Sequence, residues 1–222
     1  MKTAFKVGDS VVVNKGVMDA DFPDYSLEGL QGRIQAIETD EEDATLVLIA
    51  WDSKSLNSMR DYIPVCEEEG YDWQSCYLYT EEVSLASPRD TLEEVENTIQ
   101  RLHNWYDWLD YGEEGDRIAA VLGAINAEDD LACHLAWQQH LQKKLSFPIA
   151  AEVTDDHEGD AHLRPGDRVK IKAFDAPDEI MGVMVAVNAT NGHFSCPLSD
   201  LAAEDSETDA IIADYRTWYN CW

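Results

Sequence analysis

Positive charge is what this sequence most lacks. Against 45 Asp and Glu it sets only 16 Lys and Arg, a formal net charge of −29. The acidic residues run through the whole chain rather than forming one tail. Such a field repels nucleic-acid phosphates and anionic membrane surfaces, and it attracts cations and basic protein surfaces. No nucleic acid and no membrane is therefore expected as a partner. Long apolar runs are missing too. Nothing approaches the roughly 20 residues needed to cross a bilayer, and "MKTAFKVGDSVVV" at the start has no apolar h-region. The five cysteines, Cys66, Cys76, Cys133, Cys196 and Cys221, form no C-x-x-C pair and are odd in number. That pattern is expected of reduced thiols in a cytoplasmic protein rather than of a disulfide framework. Signatures of catalysis are absent as well: no G-x-S-x-G, no H-E-x-x-H and no Gly-rich phosphate loop. A non-enzymatic protein is expected.

What is present begins with enough apolar residues, 45%, to build a core. A faint repeat organises them. "FKVGDSVVV" (5–13) is echoed by "LRPGDRVKI" (163–171), each a Gly-Asp turn entering an alternating strand. "LQGRIQAIE" (30–38) pairs with "IMGVMVAVN" (180–188), and "ATLVLIAWD" (44–52) with "GHFSCPLSDL" (192–201). Strands separated by acidic loops, with Gly at the bends, predict two small SH3-like β-barrels.

Helical spacing fills the middle. Leu92, Val95, Ile99, Leu102, Trp105 and Leu109 recur on one face, with Asp90 or Thr91 placed as the N-cap. A second helical stretch follows "GEEGDRI" and ends before Pro148, with Lys143 and Lys144 in its last turn. The expected class is α+β: an N-terminal barrel over 1–90, a helical connector over 91–116, and a helix plus second barrel over 117–222. Trp105, Trp108, Trp137 and Trp218 are expected as core or interdomain contacts rather than a ligand platform.

From about residue 117 onward the chain resembles CcbP, a calcium-binding protein family of cyanobacteria. The residues that carry this are "LAWQQHLQKKLSFPIAAEV" (135–153), "GDRVKI" (166–171), "DAPDE" (175–179), "GVMVAV" (182–187), "CPLSDLAAED" (196–205) and the terminal "DYRTWYNCW" (214–222). Ile149 stands where the family's strand usually carries a second Phe. The N-terminal half, with "DFPDYSLEGLQGRIQAIE" and "CEEEGYDW", resembles an uncharacterised bacterial SH3-like module, which implies a fold and no activity.

Calcium takes six to eight oxygen ligands in flexible geometry. The C-terminal part offers Asp155, Asp156, Glu158 and Asp160 in one loop, Asp175, Asp178 and Glu179 in another, and then Asp200 with Glu204 and Asp205, of which Asp200 leaves the strand that begins near His193 and is in reach of either loop. The seven residues of the two loops and Asp200 are the candidate Ca2+ ligands. None of the loops is an EF-hand: counted from Asp155, His157 and Gly166 occupy positions that need Asp or Asn and Glu. Zinc finds no four-ligand spacing, since Cys133 and His134 are adjacent on a helix and His157 and His162 have no cysteine nearby. The acidic runs "ETDEEDAT" (38–45) and "CEEEGYDW" (66–73) are expected as a hairpin loop and a solvated turn. Two function classes follow. One is a calcium buffer or sensor with its site in the C-terminal barrel; the other is an acidic adaptor that binds a protein partner without a specific metal.

Overall fold

The computed structural model describes residues 5–40, 43–155 and 162–221. The chain divides into two compact units, Met1–Tyr106 and Asp107–Trp222. Each contains one five-stranded antiparallel sheet with helices, so the α+β class holds.

In the first unit the strands are β1 (Ser10–Val13), β2 (Gln31–Thr39), β3 (Thr45–Trp51), β4 (Ser75–Tyr79) and β5 (Val83–Leu85), in the order β4-β3-β2-β1-β5. β2 and β3 form the expected hairpin, closing from Thr39 opposite Thr45. Two short helices, α1 (Ser53–Ser58) and α2 (Ile63–Glu69), are inserted between β3 and β4. Asp52 caps α1 by accepting the Ser55 amide, and Gly70, left-handed at φ 76°, ends α2. Thus Cys66–Glu69 is a helix end rather than a solvated turn, and Glu67 accepts the indole N–H of Trp73 at 2.6 Å. Helix α3 (Leu92–Asp107) sets Val95 and Leu102 into this unit's core, with Ile99 and Trp105 packed against it.

The second unit starts with helices α4 (Gly112–Leu122) and α5 (Asp130–Lys144). Its strands are β6 (Ile149–Val153), β7 (Arg168–Phe174), β8 (Met184–Ala189), β9 (Gly192–Pro197) and β10 (Leu201–Ala203), and α6 (Ser206–Cys221) follows. Alternation explains the strands: Ile149, Ala151 and Val153 are buried while Ala150 and Glu152 face out, and in β7 Val169 and Ile171 go in while Arg168 and Lys170 go out. Trp108, Trp137 and Trp218 join the same core, at 8%, 0% and 1% exposure, as expected of core aromatics.

The strand order β10-β6-β7-β8-β9 matches that of the first unit when β6 takes the place of β1 and β10 that of β5. The match extends to single hydrogen bonds. Gly29 N–H donates to Val13 O, and Gly166 N–H to Val153 O; both glycines sit at positive φ, where a β-carbon is disfavoured. Asn14 N–H donates to Glu82 O, and Thr154 N–H to Asp200 O, each at 2.7 Å. A bulge falls between Ile34 and Ala36 and again between Ile171 and Ala173. The repeat is therefore real but shifted by one strand from the pairing expected above. The two Gly-Asp turns misled because any strand can follow such a turn. One stands before β1, the other before β7, which occupies the place of β2.

Neither sheet closes into a barrel. Among the described residues the hydrogen-bonded order ends at two edges, β4 and β5 in one unit and β9 and β10 in the other. β5 and β10 are three-residue strands entered directly from 3-10 turns, and their ladders face β1 and β6. Strands this short offer too few backbone groups to complete a barrel.

Candidate metal site

The candidate ligands lie on loops of the second unit. Asp156, Glu158 and Asp160 fall outside the described residues. Asp155 stands two residues past the end of β6 and is exposed. Asp200 ends the 3-10 turn Leu198–Asp200 and is 6% exposed. The two meet at a depression of about 90 Å3, lined also by Met181, Ser195 and Cys196. What holds them there is local. Thr154 donates both its amide and its hydroxyl to the Asp200 carbonyl, at 2.7 and 2.9 Å, tying the start of the acidic loop to the turn. Ser199 donates to the Asp200 carboxylate at 3.1 Å.

The second acidic group is brought to the same depression at one point. Asp175, half-buried after β7, accepts the Ser195 hydroxyl at 2.7 Å, and Ser195 lines the depression. Asp178 and Glu179 are exposed on the turn that leads to Met181. The Asp178 carboxylate is engaged in its own turn, where it accepts the amides of Ile180 (2.8 Å) and Met181 (2.9 Å). Those two amides, Met181 first, hold its carboxyl below the usual range. Ser195 and Thr154 were not legible as site residues. The only hint was that Thr154 adjoins Asp155, and Ser195 lies among acidic loops only in three dimensions.

Beside the sulfur atoms of Met181, Met184 and Cys196, the depression is lined by the carboxylate residues Asp155 and Asp200 and by Ser195, and carboxylate and hydroxyl oxygens are what a hard cation selects. Among the described residues, however, no group of three or more His, Cys, Asp or Glu is placed to hold a metal ion. Of the candidate ligands, the described residues place Asp155 and Asp200 at this depression.

Cys133 and His134, adjacent on α5, form no metal site among the described residues. Cys133 is buried, and burial pushes its thiol up to about 11, so it is no ready metal ligand. His134 is fully buried, edge-on to Trp218 at 5.3 Å, and burial lowers its pKa. All five cysteines are free thiols. No helix among the described residues is long and apolar enough to cross a membrane.

Comparison with known proteins bears on this unit. Two solved structures are similar to part of this chain. One is a calcium-binding protein in its calcium-binding form, 23% identical, covering 48% of this chain and 89% of that chain with a TM-score of 0.39. The other is CcbP of Anabaena, 22% identical, covering 43% and 80% with a TM-score of 0.35. No curated protein matches the chain. Residues 117–219 match the model of the CcbP family, described by calcium binding. The likeness to the CcbP calcium-binding family thus lies in the C-terminal part of this chain and spans a little under half of its length.

Proposed function

We propose that the second unit binds Ca2+ and that the protein acts without catalysis, as a calcium buffer or sensor. The observation that carries this is the family match over 117–219. Supporting it is the depression shared by Asp155 and Asp200, with Asp175 linked through Ser195. In this assignment Asp155, Asp156, Glu158, Asp160 and Asp200 are ligands. Asp175, Asp178 and Glu179 add negative charge from the neighbouring turn. Carbonyl oxygens and water complete a calcium shell of six to eight oxygens. Mg2+ is disfavoured, because it demands tight octahedral geometry and sheds its water reluctantly.

Calorimetric titration of the full chain with CaCl2 in physiological salt tests this. Saturable binding of one or two ions, not displaced by an equal concentration of Mg2+, is expected. Weak heat that never saturates and vanishes with added salt would leave only a diffuse anionic surface and refute the assignment.

A further inference from the structure

The first unit carries a second feature that calcium binding does not use. A cavity of about 430 Å3 opens beside the loop that joins β1 to β2. Its floor is Leu27, Trp51 and Tyr62, exposed 1%, 2% and 6%, together with the carboxylate of Asp19. At its mouth stand Asp21, Tyr71, Asp72 and Tyr77. Tyr71 and Tyr77 are 45% and 47% exposed. Tyr71 is nevertheless braced: Phe22 meets it edge-on at 5.2 Å and meets Tyr62 at 5.6 Å.

Charge at this cavity is uncompensated. Asp19 is 6% exposed, and it accepts hydrogen bonds from the amides of Asp21 and Phe22 and from the Tyr62 hydroxyl, at 2.8 to 2.9 Å. All three donors are neutral. Among the described residues no Lys or Arg pairs with Asp19, Asp21 or Asp72. The contrast lies in the same unit, where the similarly buried Asp52 accepts from two nitrogens of the Arg89 guanidinium, each at 2.7 Å. A wall residue registers the resulting field. Burial, then the charges of Asp19 and Asp21, push the Cys76 thiol up to about 12. The carboxylates do not converge on one point as metal ligands would. They stand among the aromatic side chains of Trp51, Tyr62, Tyr71 and Tyr77, a combination suited to a large, flat, weakly hydrated cation.

We propose that this cavity receives the guanidinium of an arginine side chain presented by a partner protein. A guanidinium stacks on a tyrosine face while its fork of N–H donors reaches carboxylates, which a spherical ammonium does less well. The volume falls within the range of specific ligand pockets and exceeds what one head group needs, leaving room for the side chain's stem. The chain's net charge of −29 steers basic surfaces toward it. Calcium binding by the second unit is not required.

The test uses the full chain in EDTA, so that calcium binding plays no part. A fluorescein-labelled peptide with one arginine among glycines and serines is titrated by polarisation, beside the same peptide carrying lysine or citrulline. Citrulline keeps the shape without the charge, and it should bind at least tenfold more weakly than arginine; lysine should fall between. Tyr71→Ala should weaken the arginine peptide about fivefold, Asp21→Asn about threefold, and Tyr71→Phe should restore binding because the ring face is kept. Equal binding of arginine and citrulline peptides would overturn the proposal. So would an equal loss in Glu113→Gln, an exposed acidic residue of the second unit, which would show bulk charge alone. Free arginine binding as tightly as the peptide would instead make this a small-molecule site. Displacement by CaCl2 that ignores Tyr71→Ala would make it an inorganic cation site.

Discussion

Tyr215 offers the sharpest test of how the second unit holds its candidate site. The ring is fully buried on α6, and its hydroxyl oxygen accepts the amide of Val183 at 2.8 Å. Val183 is itself fully buried, at the end of the turn that carries Asp178 and Glu179. Tyr215→Phe keeps the ring and removes only that oxygen, so no cavity larger than one atom is left. The Val183 amide then has no partner and no access to water. An unsatisfied buried donor costs about 1–3 kcal/mol. In a unit of this size that loss lowers Tm by roughly 4–10 °C. Tyr219 is the control. Its hydroxyl donates to the Ile180 carbonyl of the same turn, at 3.1 Å, but in contact with solvent. Water replaces that bond in Tyr219→Phe, and the expected loss is below about 0.5 kcal/mol. Urea denaturation followed by tryptophan fluorescence reads both, since Trp137 and Trp218 lie in the same core. If Tyr215→Phe stays within about 0.5 kcal/mol of the parent, or if Tyr219→Phe costs as much, α6 does not anchor the turn in this way.

Further predictions concern charge and backbone. Arg89→Met should cost about 3 kcal/mol in urea denaturation, because it strands the Asp52 carboxylate, 5% exposed, without its cation; a loss under about 1 kcal/mol would refute this. Gly182→Ala should cost roughly 1–3 kcal/mol, since Gly182 sits at φ +79° and a β-carbon there would lie 2.4 Å from the Tyr215 hydroxyl. Burial of His134 lowers its pKa below the ordinary 6.5, so on acidification the unfolded chain takes up a proton before the folded one does. Stability should therefore fall as pH drops from about 7.5 to 5.5, and His134→Phe should flatten that part of the urea-midpoint profile. Asp156→Asn should weaken calcium binding about tenfold while leaving apo stability unchanged or slightly higher, because one like charge leaves the loop. Asp40→Asn, in the β2–β3 hairpin, should leave calcium affinity unchanged; equal effects in the two variants would mean that only net charge counts.

Much of this protein was determined by local sequence pattern alone. Alternation marked β2, β3, β7 and β8, and helical spacing from Leu92 to Trp105 marked α3, because each element must bury one face whatever it packs against. The resemblance over the last hundred or so residues was carried by short strings such as "GDRVKI" and "CPLSDL", which survive in order along the chain. Tertiary structure decided the rest. Which strand of one unit corresponds to which strand of the other depends on non-local ladders, and the twin bonds Gly29 to Val13 and Gly166 to Val153 are made between residues more than a dozen positions apart. The open sheet edges depend on how far β5 and β10 extend, which no alternation pattern reports over three residues. Asp155, Asp200 and Ser195 come together, and Asp19 is buried among tyrosines, only because the chain folds back on itself. A carboxylate's sequence neighbours say that it is acidic, but its chemistry is set by burial and by the groups that the fold brings within hydrogen-bonding distance.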